Sequence, residues 1–156
     1  MLAYIDFDNF KPFNDTYGFR QGDRAIILFT ELLRKRFGAT DAFLGHVGGD
    51  DFFLGFRRKS YLDVAETIAE LQASFREDVE SFYTPDARAA GYICARDRND
   101  EARCFPLMTV SAAVIEMAPS VARRSITVDA LAERFAAAKK VAKRDKLRIN
   151  IQTVSG

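Results

Sequence analysis

An α/β sandwich, with helices packed on a mixed, largely antiparallel sheet in the ferredoxin-like or palm-like manner, is the fold this sequence predicts. Three observations carry that prediction. The chain opens on a period-two stretch, "LAYIDF"; the stretches "AFLGHV" and "FFLGF" flank a "GGDD" bend as a hairpin would; and three amphipathic helical stretches alternate with the strands. At 156 residues, 48% of them apolar and 29% charged, the chain reads as one domain, residues 1–156, large enough to bury a real core.

The elements follow in order. Leu2–Phe7 alternates as a strand. "DNFKPFNDTYGFRQGD" is rich in turn formers and carries Gly18 and Gly22. Over Arg24–Phe37 the apolar residues Ile26, Ile27, Leu32, Leu33 and Phe37 recur at helical spacing, and Gly38 is placed to stop the helix. The hairpin comes next. Residues 60–82 predict a second helix, with Ser60 as N-cap and Val64, Ile68, Leu71 and Phe75 on one face. Tyr83–Phe105 is polar and punctuated by Pro85 and Gly91, so a long loop with one short strand at "GYICA" is expected. "PLMTVSAAVIEM" reads as a buried strand in which Ser111 and two alanines leave room for a close neighbour. Residues 128–145 predict the third helix, and "KLRINIQTV" the closing strand.

Composition narrows the function. A net charge of +1 argues against a general nucleic-acid binder, which needs a dominant basic face. No apolar run approaches the ~20 residues that span a bilayer, and "MLAYIDFDNF" lacks the plan of a secretory signal, so a cytoplasmic protein is expected. Cys94 and Cys104 match no zinc or redox spacing and are expected to be reduced thiols. His46 is the one histidine, which removes His-based triads and His-rich metal sites.

The carboxylates are more telling. Asp6 and Asp8 close the first strand, and Asp50 and Asp51 sit side by side at the hairpin bend. If the hairpin lies beside that strand, three or four carboxylates meet near one point, where they repel unless protonated or bridged by cations. Hard oxygen donors of this kind suit Mg²⁺ held together with substrate phosphates. Gly48 and Gly49 permit a tight turn and leave backbone N–H groups open to a phosphate. A plain polar turn with solvated aspartates explains the bend equally well. Lys139 and Lys143 are four apart, hence on one face of the third helix, with Lys140 and Arg144 beside them. They suit either phosphate oxygens or a solvated basic helix end favoured by the macrodipole.

Taken together, "DFDNFKPFNDTYGFRQGD", "GGDDF" and "AAAKKVAK" resemble the GGDEF family, the diguanylate cyclase domain, in order and spacing over nearly the whole chain. The resemblance implies that Asp6, the carbonyl of Phe7, and Asp50 hold Mg²⁺ (or Mn²⁺), with Asp51 at the fourth signature position. It implies that Asn14 and Asp23 bind the guanine edge. Asn donates and accepts, and a carboxylate accepts from N1–H and the 2-amino group, a pairing that prefers guanine to adenine. Phe10 and Lys11 would begin a phosphate-facing loop beside Gly48 and Gly49, and Lys139 and Lys143 would neutralise the triphosphate. In the family two GTP-loaded domains meet face to face, and the product is cyclic di-GMP with two pyrophosphates.

The sequence departs from the family pattern in four places. Asp51 replaces the usual glutamate and is one methylene shorter. Phe19 and His46 replace a histidine and an arginine. The Arg-x-x-Asp product-inhibition motif would fall on Ala39–Ala42, where neither charge is in register, so no ordinary inhibitory site is expected. The family's N-terminal segment is missing, which suggests a domain excised from a larger signalling protein. The residue 83–105 stretch is reminiscent of GGDEF domains joined to phosphodiesterase (EAL) modules. Two functions compete within the resemblance: synthesis of cyclic di-GMP, and a catalytically weak domain that binds GTP or cyclic di-GMP as a receptor. A ferredoxin-like RNA-binding module needs exposed aromatic platforms, whereas these phenylalanines read as core.

Overall fold

Leu2–Asp8 forms strand β1, which lies at the centre of the molecule. The computed structural model describes residues 1–38, 40, 42–96, 99–117 and 127–154. A five-stranded sheet is ordered β2-β3-β1-β6-β7, with β2 at Phe43–Gly48, β3 at Asp51–Gly55, β6 at Thr109–Met117 and β7 at Ile149–Val154. Every pairing is antiparallel except β6–β7, so the mixed, mostly antiparallel sheet flanked by helices is the predicted class. Two strands, β4 (Tyr92–Arg96) and β5 (Ala102–Pro106), form a separate antiparallel hairpin.

Alternation along β1 builds two cores. Ala3, Ile5 and Phe7 are buried on the face covered by α2 (Phe19–Phe37) and α3 (Tyr61–Val79). Leu2 and Tyr4 turn to the opposite face and pack with Ala113, Ile115 and Phe135 beneath α5 (Val128–Ala142). The first core is aromatic. Phe29 is fully buried, with its ring centroid 5.3 Å from Phe7, 4.9 Å from Phe52 and 5.2 Å from Phe75.

The turn-former-rich stretch folds differently from its composition. Phe10–Tyr17 is helix α1, and α2 begins at Phe19 rather than Arg24. Phe10, Phe13 and Tyr17 recur at helical spacing and all pack on the core, which overrides the local preference for turns. Gly18, at φ 86°, separates the two helices in a conformation that favours glycine. The second predicted helix stops at Val79 and runs on into a single 3₁₀ turn, Glu80–Phe82. Its start is the predicted one: the Ser60 hydroxyl accepts from the Asp63 N–H at 3.2 Å, and the Asp63 carboxylate accepts from the Ser60 N–H at 3.1 Å.

The expected loop over residues 83–105 is mostly regular structure. Thr84 caps the short helix α4 (Pro85–Ala90), Gly91 ends it at φ 77°, and the β4–β5 hairpin follows. The expectation of reduced thiols is also corrected. Cys94 and Cys104 face one another across the hairpin and form a disulfide. Ala39 and Asp41, two of the four positions on which the inhibitory motif would fall, lie outside the described residues. No helix among the described residues is long and apolar enough to cross a membrane.

Candidate metal and nucleotide site

The register of the sheet assembles the acidic group. Asp6 on β1 is paired with Asp51 on β3 and with Ser111 on β6. Asp50 sits in the turn just before β3. One carboxylate oxygen from each of Asp6, Asp50 and Asp51 lies within 4.8 Å of the others, a spacing that fits shared ligation of one hard cation. Asp8 does not join them. It faces the same side of the sheet because β1 continues through it, but its carboxylate accepts from Ser111 Oγ at 2.7 Å and from Thr109 Oγ1 at 2.9 Å. The convergence is of three carboxylates, not four.

The bend depends on its glycines. Gly48 and Gly49 stand at φ 143° and 56°, values that L side chains rarely adopt. A register shift between His46 and Gly48 bulges the strand there. The His46 ring stacks on Phe52 at 4.5 Å, and its Nε2 lies 2.9 Å from the Gly49 carbonyl. A carbonyl only accepts, so that nitrogen carries the proton, and the imidazole braces the turn that presents Asp50.

Two ammonium groups meet the carboxylates. Lys139 Nζ lies 3.4 Å from both Asp6 Oδ1 and Asp51 Oδ1, and 4.2 Å from the centre of the Tyr4 ring. Lys143, the C-cap of α5, is ion-paired with Asp6. These two lysines are thus ion-paired with the acidic group, whereas Lys140 and Arg144 line a separate shallow depression. Arg148, 3.7 Å from Asp8, donates to the Lys143 carbonyl at 2.9 Å and ties the end of α5 to β1. Burial pushes the Asp50 carboxyl above its ordinary range, and the neighbouring Asp6 and Asp51 add to the effect; its own backbone hydrogen bond and Lys143 oppose it. The Tyr4 phenol is likewise raised, by burial first and then by its hydrogen bond to Asp51 and the charges of Asp51, Asp6 and Asp50.

A cleft of about 610 Å³ opens beside Asp6, Asp50 and Lys143. Phe7, Phe10 and Lys11 line it, together with Arg96, Asn99 and Phe105 from the hairpin. Phe10 and Lys11 are the first two residues of α1, so the expected phosphate-facing loop is a helix N-terminus, whose free N–H groups favour anions. Lys11 is ion-paired with Asp15 across one helical turn.

Asn14 and Asp23 do not line this cleft. Asn14, on α1, turns its amide toward Gly22 of α2, its Oδ1 buried and accepting no hydrogen bond among the described residues, while Asp23 is exposed on α2. Gly22 makes room for that amide: a Cβ there would stand 1.9 Å from Asn14 Oδ1. Gly22→Ala is expected to displace the Asn14 side chain and weaken guanine-nucleotide binding by about tenfold, roughly the 1.4 kcal/mol of one neutral hydrogen bond. Calorimetric titration with GTP checks this, and retained affinity would remove Asn14 from the nucleotide site.

Sequence reasoning did not assign four participants: His46, Arg148, Arg96 and Phe105. The last two were hidden because the hairpin read as loop. The one available signal was the placement of Cys94 and Cys104 on either side of "ARDRNDEAR", as paired strands require.

Comparison with known proteins bears on the family and the fold. The family model described as diguanylate cyclase, GGDEF domain, matches residues 1–103. Diguanylate cyclase DgcP of Escherichia coli K12 is 31% identical over 88 residues, covering 53% of this chain and 26% of that protein. The bifunctional diguanylate cyclase/cyclic di-GMP phosphodiesterase MucR of Pseudomonas aeruginosa is 37% identical over 69 residues, covering 44% of this chain and 10% of MucR. The chain thus spans about a quarter or less of the length of these relatives. In fold it is similar to the GGDEF domain of DgcB from Caulobacter crescentus, solved in complex with c-di-GMP, with a TM-score of 0.64, 24% identity, and coverage of 96% of this chain and 75% of that one.

Proposed function

The chain belongs to the GGDEF family of diguanylate cyclase domains, and from that premise we propose that it condenses two GTP molecules into cyclic di-GMP and two pyrophosphates, each domain supplying half of the site. The observation that carries this reading is the meeting of Asp6, Asp50 and Asp51 within 4.8 Å, beside two lysines and an open cleft.

Asp6, Asp50, Asp51 and the Phe7 carbonyl would hold Mg²⁺ or Mn²⁺, which supplies Lewis-acid stabilisation of the phosphoryl oxygens when bound. Lys139 and Lys143 balance triphosphate charge, and the N-terminus of α1, with Lys11, orients the phosphates. Asn14 and Asp23, outside that cleft on α1 and α2, would take the guanine edge. The 3′-hydroxyl of each nucleotide gives its proton to water, its oxygen bonds to the α-phosphorus of the other nucleotide, and the bond from that phosphorus to the α,β-bridging oxygen breaks to release pyrophosphate. A second GGDEF domain is therefore the required partner. The bifunctional relative supports an attached phosphodiesterase domain as a further partner; a sensory domain is a further candidate.

The test is incubation of an enforced dimer of the domain with GTP and Mg²⁺, with chromatography for cyclic di-GMP. Synthesis that disappears in Asp50→Ala supports the reading; absence of both product and GTP binding overturns it. Binding without turnover selects the receptor alternative, which the shorter Asp51 favours. Mg²⁺ demands near-ideal geometry, and a retracted carboxylate meets that demand poorly. Asp51→Glu is accordingly expected to raise the synthesis rate about tenfold, equivalent to ~1.4 kcal/mol of barrier, in a steady-state assay. An unchanged or lower rate would show that the site is built around aspartate.

A further inference from the structure

The β4–β5 hairpin stands outside the central sheet yet forms one side of the cleft. Its base is anchored. Ile93 is buried, the Leu107 N–H donates to the Gly91 carbonyl at 3.2 Å, and the Asn9 side chain donates to the Pro106 carbonyl at 3.1 Å. Cys94↔Cys104 is the middle one of five register pairs, with that base on one side and Arg96↔Ala102 on the other. The Arg96 guanidinium is steadied by the Asp100 carbonyl at 2.8 Å and its carboxylate at 3.0 Å. It adds a planar, bidentate donor to a cleft that already holds Lys11 and Lys143, while Phe105 adds an apolar surface. A two-stranded ribbon is marginal by itself, so a covalent tie at its midpoint restrains the half that carries Arg96. Both cysteines are exposed, which leaves the disulfide open to thiol exchange.

We propose that the Cys94–Cys104 disulfide holds Arg96 in the wall of the nucleotide cleft, so that reducing it weakens nucleotide binding. The inference rests on the nucleotide reading given above. The reductant is a dithiol. One of its thiolates attacks a cysteine sulfur, breaking the S–S bond and releasing the other cysteine as thiolate; its second thiolate then attacks the reductant's own sulfur in the mixed disulfide and releases the bound cysteine. Two electrons pass to the cysteines, the two dithiol protons end on their sulfurs, and the reductant leaves as a cyclic disulfide. Linkage requires the reciprocal effect: bound nucleotide protects the disulfide by the same factor by which the disulfide tightens binding.

The probe is a GTP analogue with a methylene group between its α and β phosphorus atoms, titrated calorimetrically with Mg²⁺. Three proteins are compared: oxidised wild type, dithiothreitol-reduced wild type, and the Cys94→Ser/Cys104→Ser double variant. The oxidised protein is expected to bind about fivefold tighter or more, the scale of a modest coupling. Dithiothreitol should bring it to the affinity of the double variant, on which the reagent has no effect. Arg96→Ala in the oxidised protein should lose most of the difference. In a thiol–disulfide equilibrium, saturating analogue should shift the oxidised fraction by the same factor. Equal affinities for all three proteins, or an equilibrium the analogue does not move, overturn this inference and leave the nucleotide reading standing. Binding by none of them overturns both.

Discussion

Asp50→Asn is expected to abolish cyclic di-GMP synthesis and, in protein without added metal, to make the fold more stable at neutral pH. The first effect should be about a thousandfold, because metal stabilisation of a transferring phosphoryl group amounts to several kcal/mol and each ~1.4 kcal/mol is tenfold. The second follows from burial, which raises the carboxyl's folded pKa with help from Asp6 and Asp51. Ionising Asp50 therefore costs the folded state more than the unfolded one. That cost is absent at acidic pH, grows as pH rises through the ordinary aspartate value, and is complete above the raised one. Asparagine removes it, so the stability gain over wild type should appear only on the neutral side of that window. Urea unfolding across pH, with and without Mg²⁺, checks both parts. Mg²⁺ should stabilise the wild type and have little effect on the variant. Wild-type synthesis by Asp50→Asn, or a loss of stability at neutral pH, would contradict the assignment.

Phe29→Ala is expected to destabilise the protein by about 3–5 kcal/mol, the usual cost of emptying an aromatic core position. For a chain of this size that corresponds to a fall in Tm of roughly 10 °C or more. Phe29 touches the rings of Phe7, Phe52 and Phe75 and thereby ties β1 and β3 to α3 directly beneath the acidic group. Asp6 precedes Phe7 by one residue, and Asp51 precedes Phe52. Looseness in this floor should therefore reach the carboxylates, and Mg²⁺ should stabilise Phe29→Ala less than wild type. Thermal unfolding with and without the ion measures both. Phe29→Leu, which keeps more of the volume, should cost less. A fall in Tm with an undiminished Mg²⁺ effect would show that the site does not depend on this core.

Much of the architecture was legible because strong patterns agreed with one another. Alternation in "LAYIDF" placed the central strand, the Gly-Gly bend placed the hairpin, and Ser60 marked the start of α3 through its side-chain chemistry. The pairing of Asp6 with Asp51 followed from that hairpin lying beside β1. Helix α1 was obscured because Asn, Asp, Pro and Thr favour turns locally, while the packing of Phe10, Phe13 and Tyr17 decides in favour of the helix. The β4–β5 hairpin was obscured for the opposite reason. Its residues are mostly exposed, so no core periodicity betrays it. Whether Asp8 joins the group is open in the sequence, because period two says which face a side chain takes, not which hydroxyl waits across the sheet. Thr109 and Ser111 occupy Asp8.

The lysines beside the acidic group have a bearing on the sequence of loading. Three carboxylates and two ammoniums leave one surplus negative charge, a weak lure for a bare divalent ion. A polyphosphate alters the balance, since it offers Lys139 and Lys143 new anionic company and releases Asp6 and Asp51 for coordination. Ion and nucleotide should consequently strengthen one another's binding, each making room for the other.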